Sequence, residues 1–144
     1  MKALTLTQPW ASLVALGHKQ VETRSWRTNY RGLLAIHAAK GFPPEAREFA
    51  SAERAFGRIP ARIARGAVLC TVKLVDCRDA EIAAFDLSGL ERHLGDYWPG
   101  RWAWIFDPAS LHVFDEPIFT RGALGLWNWE PPDAAPPAQQ GALL

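Results

Sequence analysis

Three charged residues near the start of the chain have the types and spacing of a small functional site: Lys19, Glu22 and Arg24. Glu22 and Arg24 are two positions apart, so in a strand their side chains point to the same face. Lys19 precedes that strand at a predicted helix end, from which its ammonium can reach the same cleft. A carboxylate between two cations stays ionised, and an arginine fork suits phosphate or carboxylate groups. The cluster predicts an acid–base pair, Lys19 and Glu22, or a binding site; solvated ion pairs that hold the turn are the alternative.

Aromatic residues are unusually abundant, with seven tryptophans in the chain. An aromatic ring beside cations is what the stacking of a nucleic-acid base requires. Trp26 is predicted to continue the strand face of the charged pair, which makes it the preferred stacking residue. Tyr97 and Trp98 lie in a loop that is expected to cover the cleft. Trp102 and Trp104 share another strand face and are expected to pack in the core.

The predicted elements place these residues at a helix–strand junction. A strand over residues 2–7 leads into a short helix that Pro9 opens and Gly17 ends in a left-handed conformation, and the strand over residues 21–26 carries the charged pair. Without a regular strand–helix alternation, the pattern predicts an α+β fold, with a small, mostly antiparallel sheet curled toward a barrel and a few flanking helices. Further strands are predicted over residues 33–38, 66–76, 101–106, 112–120 and 124–129, and helical segments over 43–56 and 79–96.

Composition indicates one globular domain. Of the 144 residues, 49% are hydrophobic and 22% are charged. No apolar run is long enough to cross a bilayer and the first residues lack a secretory signal, so a cytoplasmic location without a membrane partner is expected, with Cys70 and Cys77 as buried thiols. A net charge of +1 argues against strong, sequence-blind nucleic-acid binding. Residues 1–65 nevertheless carry +7 and residues 66–144 carry −6, which predicts either a basic face or a mixed surface.

Other candidate positions have plainer alternatives. His37 is a possible general acid or base, or a hydrogen-bonded histidine on a half-buried strand. The four histidines and two cysteines show no metal-ligand spacing, so neither a metal nor a cofactor is expected. Four arginines fall at helical spacing: Arg47, Arg54, Arg58 and Arg65. They either contact the phosphates of a nucleic acid or form a solvated stripe on the helix surface. A monomer is expected.

The charged segment resembles the signature G-x-K-x-x-E-x-R of the ASCH domain family at all four fixed positions, Gly17, Lys19, Glu22 and Arg24. The surroundings are also similar to those of family members: Gln8-Pro9-Trp10, Ser25-Trp26-Arg27 and Gly125-Leu126-Trp127-Asn128. The resemblance covers residues 1–130 and implies a PUA-like β-barrel, a fold associated with RNA binding, with the motif in a cleft beside the first helix. Residues 131–144, rich in Pro, Ala and Gln, are predicted to be a disordered tail.

The resemblance implies two classes of function. One is binding of RNA or a modified nucleoside, through Gln8, Trp10, Gly17, Arg24, Trp26, His37, Tyr97 and Trp98. The other is a small hydrolase with Lys19 and Glu22 as catalytic residues, either a ribonuclease or an amidohydrolase that removes an acyl group from the exocyclic nitrogen of cytidine. Such amidohydrolases resemble this chain at the lysine, but they carry threonine at the position of Glu22 and use a distal carboxylate, for which Glu91 and Asp96 are candidates. A protein-interaction domain that uses the barrel as a scaffold is a third class.

Overall fold

The computed structural model describes residues 1–132, in which six strands and four short helices follow one another irregularly. The predicted tail lies, from residue 133 onward, outside the described residues. No helix in residues 1–132 has the length and hydropathy needed to cross a bilayer. The elements are β1 (Lys2–Leu6), α1 (Trp10–Ala15), β2 (Val21–Arg24), β3 (Gly32–Ala38), α2 (Pro44–Ala55), β4 (Ala67–Asp79), α3 (Ala80–Ala84), α4 (Gly89–His93), β5 (Trp102–Phe119) and β6 (Leu126–Asn128).

All six strands belong to one curled sheet with the order β2-β5-β4-β3-β1-β6. Only β1 and β3 are parallel; the other four pairings are antiparallel. The long pairing of β4 with β5 contains three register shifts, and such irregularities bend strands and increase their twist. The predicted α+β fold with a mostly antiparallel, barrel-like sheet is therefore confirmed, with β4 between β5 and β3.

The main core lies between the sheet and α1. Leu4, Leu34 and Trp104 are fully buried there, and Val14 of α1 packs against them. Trp104 thus has the predicted core position, whereas Trp102 is half-buried, with the Arg27 guanidinium 5.1 Å from its ring centroid. Both cysteines are buried and free, as expected.

The predicted strands over residues 101–106 and 112–120 form one continuous strand in the structure. Pro108 lacks an N–H for the ladder, but side chains supply substitute hydrogen bonds around it. Ser110 Oγ donates to the Asp107 carbonyl at 2.7 Å and accepts from the backbone N–H of Lys73 at 2.8 Å. The strand therefore continues through a bulge where the sequence indicates a break.

Two aromatic residues at helix ends lie outside the core. Phe56 follows α2 and is 72% exposed, and Phe85 is also exposed. The buried side of α2 instead consists of Ala46, Ala50 and Glu53. These positions follow the i, i+4, i+7 pattern of a buried helix face. Glu53 therefore places a carboxylate at a position of α2 where an apolar side chain is usual.

Candidate functional site

Lys19 turns inward directly after α1. Gly17 has φ +82°, a left-handed conformation that favours glycine, and it lets the chain reverse so that the N–H groups of His18 and Lys19 both donate to the Leu13 carbonyl. The Lys19 side chain is 0% exposed. Its Nζ donates to the Leu94 carbonyl at 2.7 Å. The ammonium is therefore held inside the protein by defined partners.

Glu22 lies between two cations, as the spacing predicts. Its Oε1 is 3.5 Å from Lys19 Nζ, and its Oε2 accepts a hydrogen bond from Arg24 Nη1 at 3.2 Å. The Glu22 side chain is only 10% exposed. Arg24 Nη1 is also 3.4 Å from the carbonyl oxygen of Thr5, which ties the pair to the end of β1. The three residues form one row, with Lys19 inside and Arg24 outermost, and this row is called the charged row below.

A cavity of about 330 Å³ lies against the outer part of the charged row. We call this cavity the first cavity. Its volume is in the range of small-ligand sites. Glu22 and Arg24 form part of its wall, and Trp10 of α1 lies on another part. The Trp10 ring stacks on Phe49 of α2 with centroids 5.0 Å apart, and Phe49 stacks on His93 with centroids 5.3 Å apart. The cavity therefore combines a carboxylate–guanidinium pair with a stacked aromatic wall.

The loop after α4 closes the first cavity on the other side. Asp96 and Arg101 both line it, and Arg101 Nε lies 3.6 Å from Asp96 Oδ2. The Asp96 N–H donates to Thr23 Oγ1 at 2.9 Å, and Arg101 Nη2 donates to the Thr23 carbonyl at 2.9 Å. Thr23 lies on the edge strand β2 and also borders the cavity. Asp96 is thus the candidate distal carboxylate that reaches the cavity.

Glu91 lies behind the charged row and does not line the first cavity. Its Oε1 accepts a hydrogen bond from the Gln20 N–H at 2.7 Å, whereas Oε2 has no hydrogen-bond partner among the described residues. Burial raises the pKa of Glu91, although the Gln20 hydrogen bond and the nearby Lys19 charge oppose the shift. Burial also raises the pKa of Tyr97, and the charges of Glu91 and Glu22 add to that shift.

The raised pKa of Glu91 predicts a pH-dependent stability difference. Because the folded state holds this proton more tightly than the unfolded state, the stabilisation is complete below the unfolded pKa and is lost as pH rises through the folded pKa. Glu91→Gln should therefore gain free energy of unfolding relative to wild type as pH rises above the ordinary pKa of a glutamate, because only the wild type loses stability there. Urea denaturation at several pH values measures this, with exposed Glu48→Gln as the control. A difference that does not change with pH would contradict the prediction.

Several predicted site residues lie away from the first cavity. Gln8 is buried, and its amide bonds Ser12 and the Ala64 carbonyl, so it fixes the start of α1. His37 is buried, with Nδ1 3.1 Å from Thr5 Oγ1 and Nε2 2.8 Å from the Thr120 carbonyl. Gly17 shapes the end of α1, as described above.

The predicted aromatic partners also lie elsewhere. Trp26 packs edge-on against Trp104, with centroids 4.8 Å apart, because β2 ends at Arg24 and the strand face does not extend to residue 26. Trp98 is 74% exposed, and neither it nor Tyr97 lines the first cavity. Of the predicted aromatic residues, the structure therefore brings only Trp10 to the charged row.

Sequence reasoning missed a buried pair behind the aromatic wall. The Glu53 side chain is fully buried, and its Oε2 accepts hydrogen bonds from Arg58 Nη2 at 2.6 Å and Arg58 Nε at 3.0 Å. Its Oε1 lies 3.3 Å from Nε2 of His93, which lines the first cavity. The signal was present in the sequence, since Glu53 falls on the apolar stripe of α2. Within residues 1–132, no three His, Cys, Asp or Glu side chains are grouped as a metal ion would require.

Comparisons with known proteins identify one family and two similar relatives. The ASCH domain family matches residues 4–96, which include the charged row and most of the first cavity. Activating signal cointegrator 1 of Mus musculus is 38% identical over 81 residues, and that of Homo sapiens is 40% identical over 80 residues. Each match covers 51% of this chain and 14% of the relative. The similarity thus concerns one small part of those longer proteins.

Proposed function

The chain belongs to the ASCH domain family, and we propose that it binds one nucleoside of an RNA in the first cavity. One observation carries the proposal: Glu22 and Arg24 present an acceptor and a donor, held 3.2 Å apart, at the wall of a cavity of about 330 Å³. Such a pair matches the edge of a base that has an amino group beside a ring acceptor.

Cytosine has the best-matched edge. A carboxylate accepts from the exocyclic amino group of cytosine, and a guanidinium donates to the neighbouring ring nitrogen and carbonyl oxygen. Glu22 Oε2 retains an accepting lone pair after its bond with Arg24, and Arg24 retains unused N–H groups. Uracil presents a carbonyl oxygen where cytosine has the amino group, and this oxygen would face the carboxylate. The cavity should therefore prefer cytidine over uridine.

The aromatic wall supports the same ligand class. Trp10 is half-buried, so part of its ring is available, and Phe49 fixes the ring from behind by stacking. Stacking of a base on an aromatic side chain contributes about 1–3 kcal/mol. In this proposal Trp10 has the stacking role that was predicted for Trp26.

Lys19 positions Glu22 in this proposal. A side chain with no exposed surface and with its ammonium bonded to the Leu94 carbonyl offers a bound ligand no contact. The ammonium compensates the carboxylate charge and directs Oε2 toward Arg24. This burial favours binding over a mechanism in which Lys19 attacks or protonates a substrate.

The proposal predicts a selective effect of Glu22→Gln. The amide replaces an accepting oxygen with a donor, so cytidine affinity should fall about tenfold to a hundredfold, the loss typical of one base-edge contact. Isothermal titration with cytidine and uridine measures the change, and exposed Glu48→Gln is the control. Equal affinity of wild type and Glu22→Gln, or no cytidine binding by either protein, would refute the proposal.

A second candidate is hydrolysis of an N4-acylated cytidine. One observation favours it: Glu91, with a raised pKa and no hydrogen-bond partner for Oε2 in the described part of the chain, lies near both Lys19 and Glu22. A carboxyl group with a raised pKa is a candidate proton donor; because Glu91 does not line the first cavity, its proton would reach a substrate there through Glu22. Incubation with N4-acetylcytidine followed by chromatography distinguishes the candidates, since wild-type turnover that Glu91→Gln abolishes would favour hydrolysis over binding alone.

A further inference from the structure

A second and larger cavity, of about 660 Å³, opens beside the end of β1. Its charged lining residues are Lys40, Arg65 and Arg121, and among the described residues no carboxylate lines it. Phe119 also lines it and is 72% exposed. Three cations beside an uncovered aromatic ring are the features that single-stranded nucleic acids require, since cations contact phosphates and rings stack with bases.

One cation of the second cavity, Arg65, is held in place by the fold. Arg65 Nη1 donates to the Lys40 carbonyl at 3.1 Å, and the Arg65 guanidinium lies 5.7 Å from the centroid of the Phe42 ring. Arg65 is thus directed by a carbonyl and an aromatic face, while within residues 1–132 no acidic group lies within 4 Å of its charge. The Arg65 guanidinium is therefore already oriented and can bind an external anion.

The loop that carries Arg121 rests on His37. A Cβ at Gly122 would lie 2.6 Å from Cε1 of this ring, so only glycine allows so close an approach. His37 Nε2 donates to the Thr120 carbonyl, which leaves Nδ1 to accept from Thr5 Oγ1. His37 therefore supports the wall of the second cavity, and its ring nitrogens are fully used.

The two cavities both lie at the end of β1. Thr7 lines the first cavity, and Thr5 lines the second. The Thr5 carbonyl accepts from Arg24 Nη1 of the charged row, while its hydroxyl accepts from Trp127 Nε1 at 3.1 Å. The two cavities are thus lined by residues only two positions apart along β1 and its extension.

We propose that the second cavity binds the phosphodiester and the adjacent base of the single-stranded RNA whose nucleoside occupies the first cavity. The inference rests on the proposed function. Arg65, Lys40 and Arg121 contact the phosphates, and the adjacent base stacks on Phe119. The position of this cavity at the same strand end as the first and its exposed ring favour RNA over an acidic polypeptide, which would use the cations alone.

The test compares oligonucleotide binding with nucleoside binding. Fluorescence anisotropy with a labelled RNA of about eight nucleotides, within the usual site size, is measured over a range of salt concentrations for wild type and for Arg65→Ala/Arg121→Ala. The double variant should lose about tenfold in RNA affinity at low salt, and its salt slope should fall by about 1.4, or about 0.7 for each phosphate contact. Its cytidine affinity should equal that of wild type.

The matched control is Lys73→Ala/Arg78→Ala, which removes the same charge from β4 outside both cavities and should bind RNA as wild type does. The inference is overturned if Arg65→Ala/Arg121→Ala binds RNA as tightly as wild type, or if wild type binds RNA no more tightly than cytidine. It is also overturned if a polyglutamate peptide competes as well as RNA does. Absence of cytidine binding, with the arginine effect on RNA intact, would instead overturn the proposed function alone.

Discussion

Replacing Lys19 by methionine is expected to lower the free energy of unfolding by about 3–5 kcal/mol, the cost of removing one partner from a buried ion pair. Methionine fills most of the space of the lysine stem, so the main loss is electrostatic. Glu22, which is only 10% exposed, retains Arg24 but loses the ammonium 3.5 Å away. The Leu94 carbonyl loses the donor that lies at 2.7 Å. Urea denaturation of wild type and Lys19→Met measures the change.

A double variant separates charge from packing. Lys19→Met/Glu22→Gln should recover part of the lost stability, because it removes the carboxylate charge that Lys19→Met leaves without its inner cation. Cytidine binding should be lost in both variants, since neither presents Glu22 Oε2 as wild type does. Exposed Lys73→Met is the control and should change stability by about 0.5 kcal/mol or less. Additive effects of the two substitutions would contradict the role of Lys19 as the partner that holds Glu22.

These variants also assign the signature residues different roles. A lysine with no exposed surface acts through Glu22, whereas Glu22 and Arg24 border the first cavity themselves. Gly17 acts one step earlier, because its left-handed conformation lets the chain turn Lys19 inward. The four signature positions thus have different structural roles: Gly17 and Lys19 shape and hold the site, whereas Glu22 and Arg24 form part of the wall of the first cavity.

The charged row could be predicted because it depends on local periodicity. Positions 22 and 24 share a face in any strand, and a glycine after an apolar stripe ends a helix. The position of Trp26 depended on the length of the strand, which its partner determines. Arg24 pairs with Trp102, the first residue of β5, so the chain after Arg24 has no strand residue to pair with and β2 ends there. The strand therefore ends two residues earlier than predicted, and Trp26 lies outside its face.

The aromatic wall could not be predicted by the same reasoning. Trp10, Phe49 and His93 belong to three different helices and meet only through tertiary packing. Their distances along the chain exceed any local period. What the sequence did contain was one inconsistency, a glutamate on the apolar stripe of α2, and a buried carboxylate demands partners from elsewhere.

Replacing that residue, Glu53→Gln, is expected to cost about 3 kcal/mol of unfolding free energy. The amide keeps the volume, but it cannot match the charge-assisted hydrogen bonds that Oε2 accepts from Arg58 at 2.6 and 3.0 Å. For a domain of this size the loss should lower the melting temperature by about 10 °C. Thermal unfolding measures it, and Glu48→Gln on the exposed side of the same helix is the control.

The same variant should weaken cytidine binding several-fold, although Glu53 does not line the first cavity. Glu53 Oε1 lies 3.3 Å from His93 Nε2, and the His93 ring stacks on Phe49, which in turn fixes Trp10. Loss of the carboxylate frees the ring, so the stacking surface for a base is no longer held in one position. Unchanged cytidine affinity, measured below the melting temperature of the variant, would show that Trp10 and Phe49 keep their geometry without the buried pair behind them.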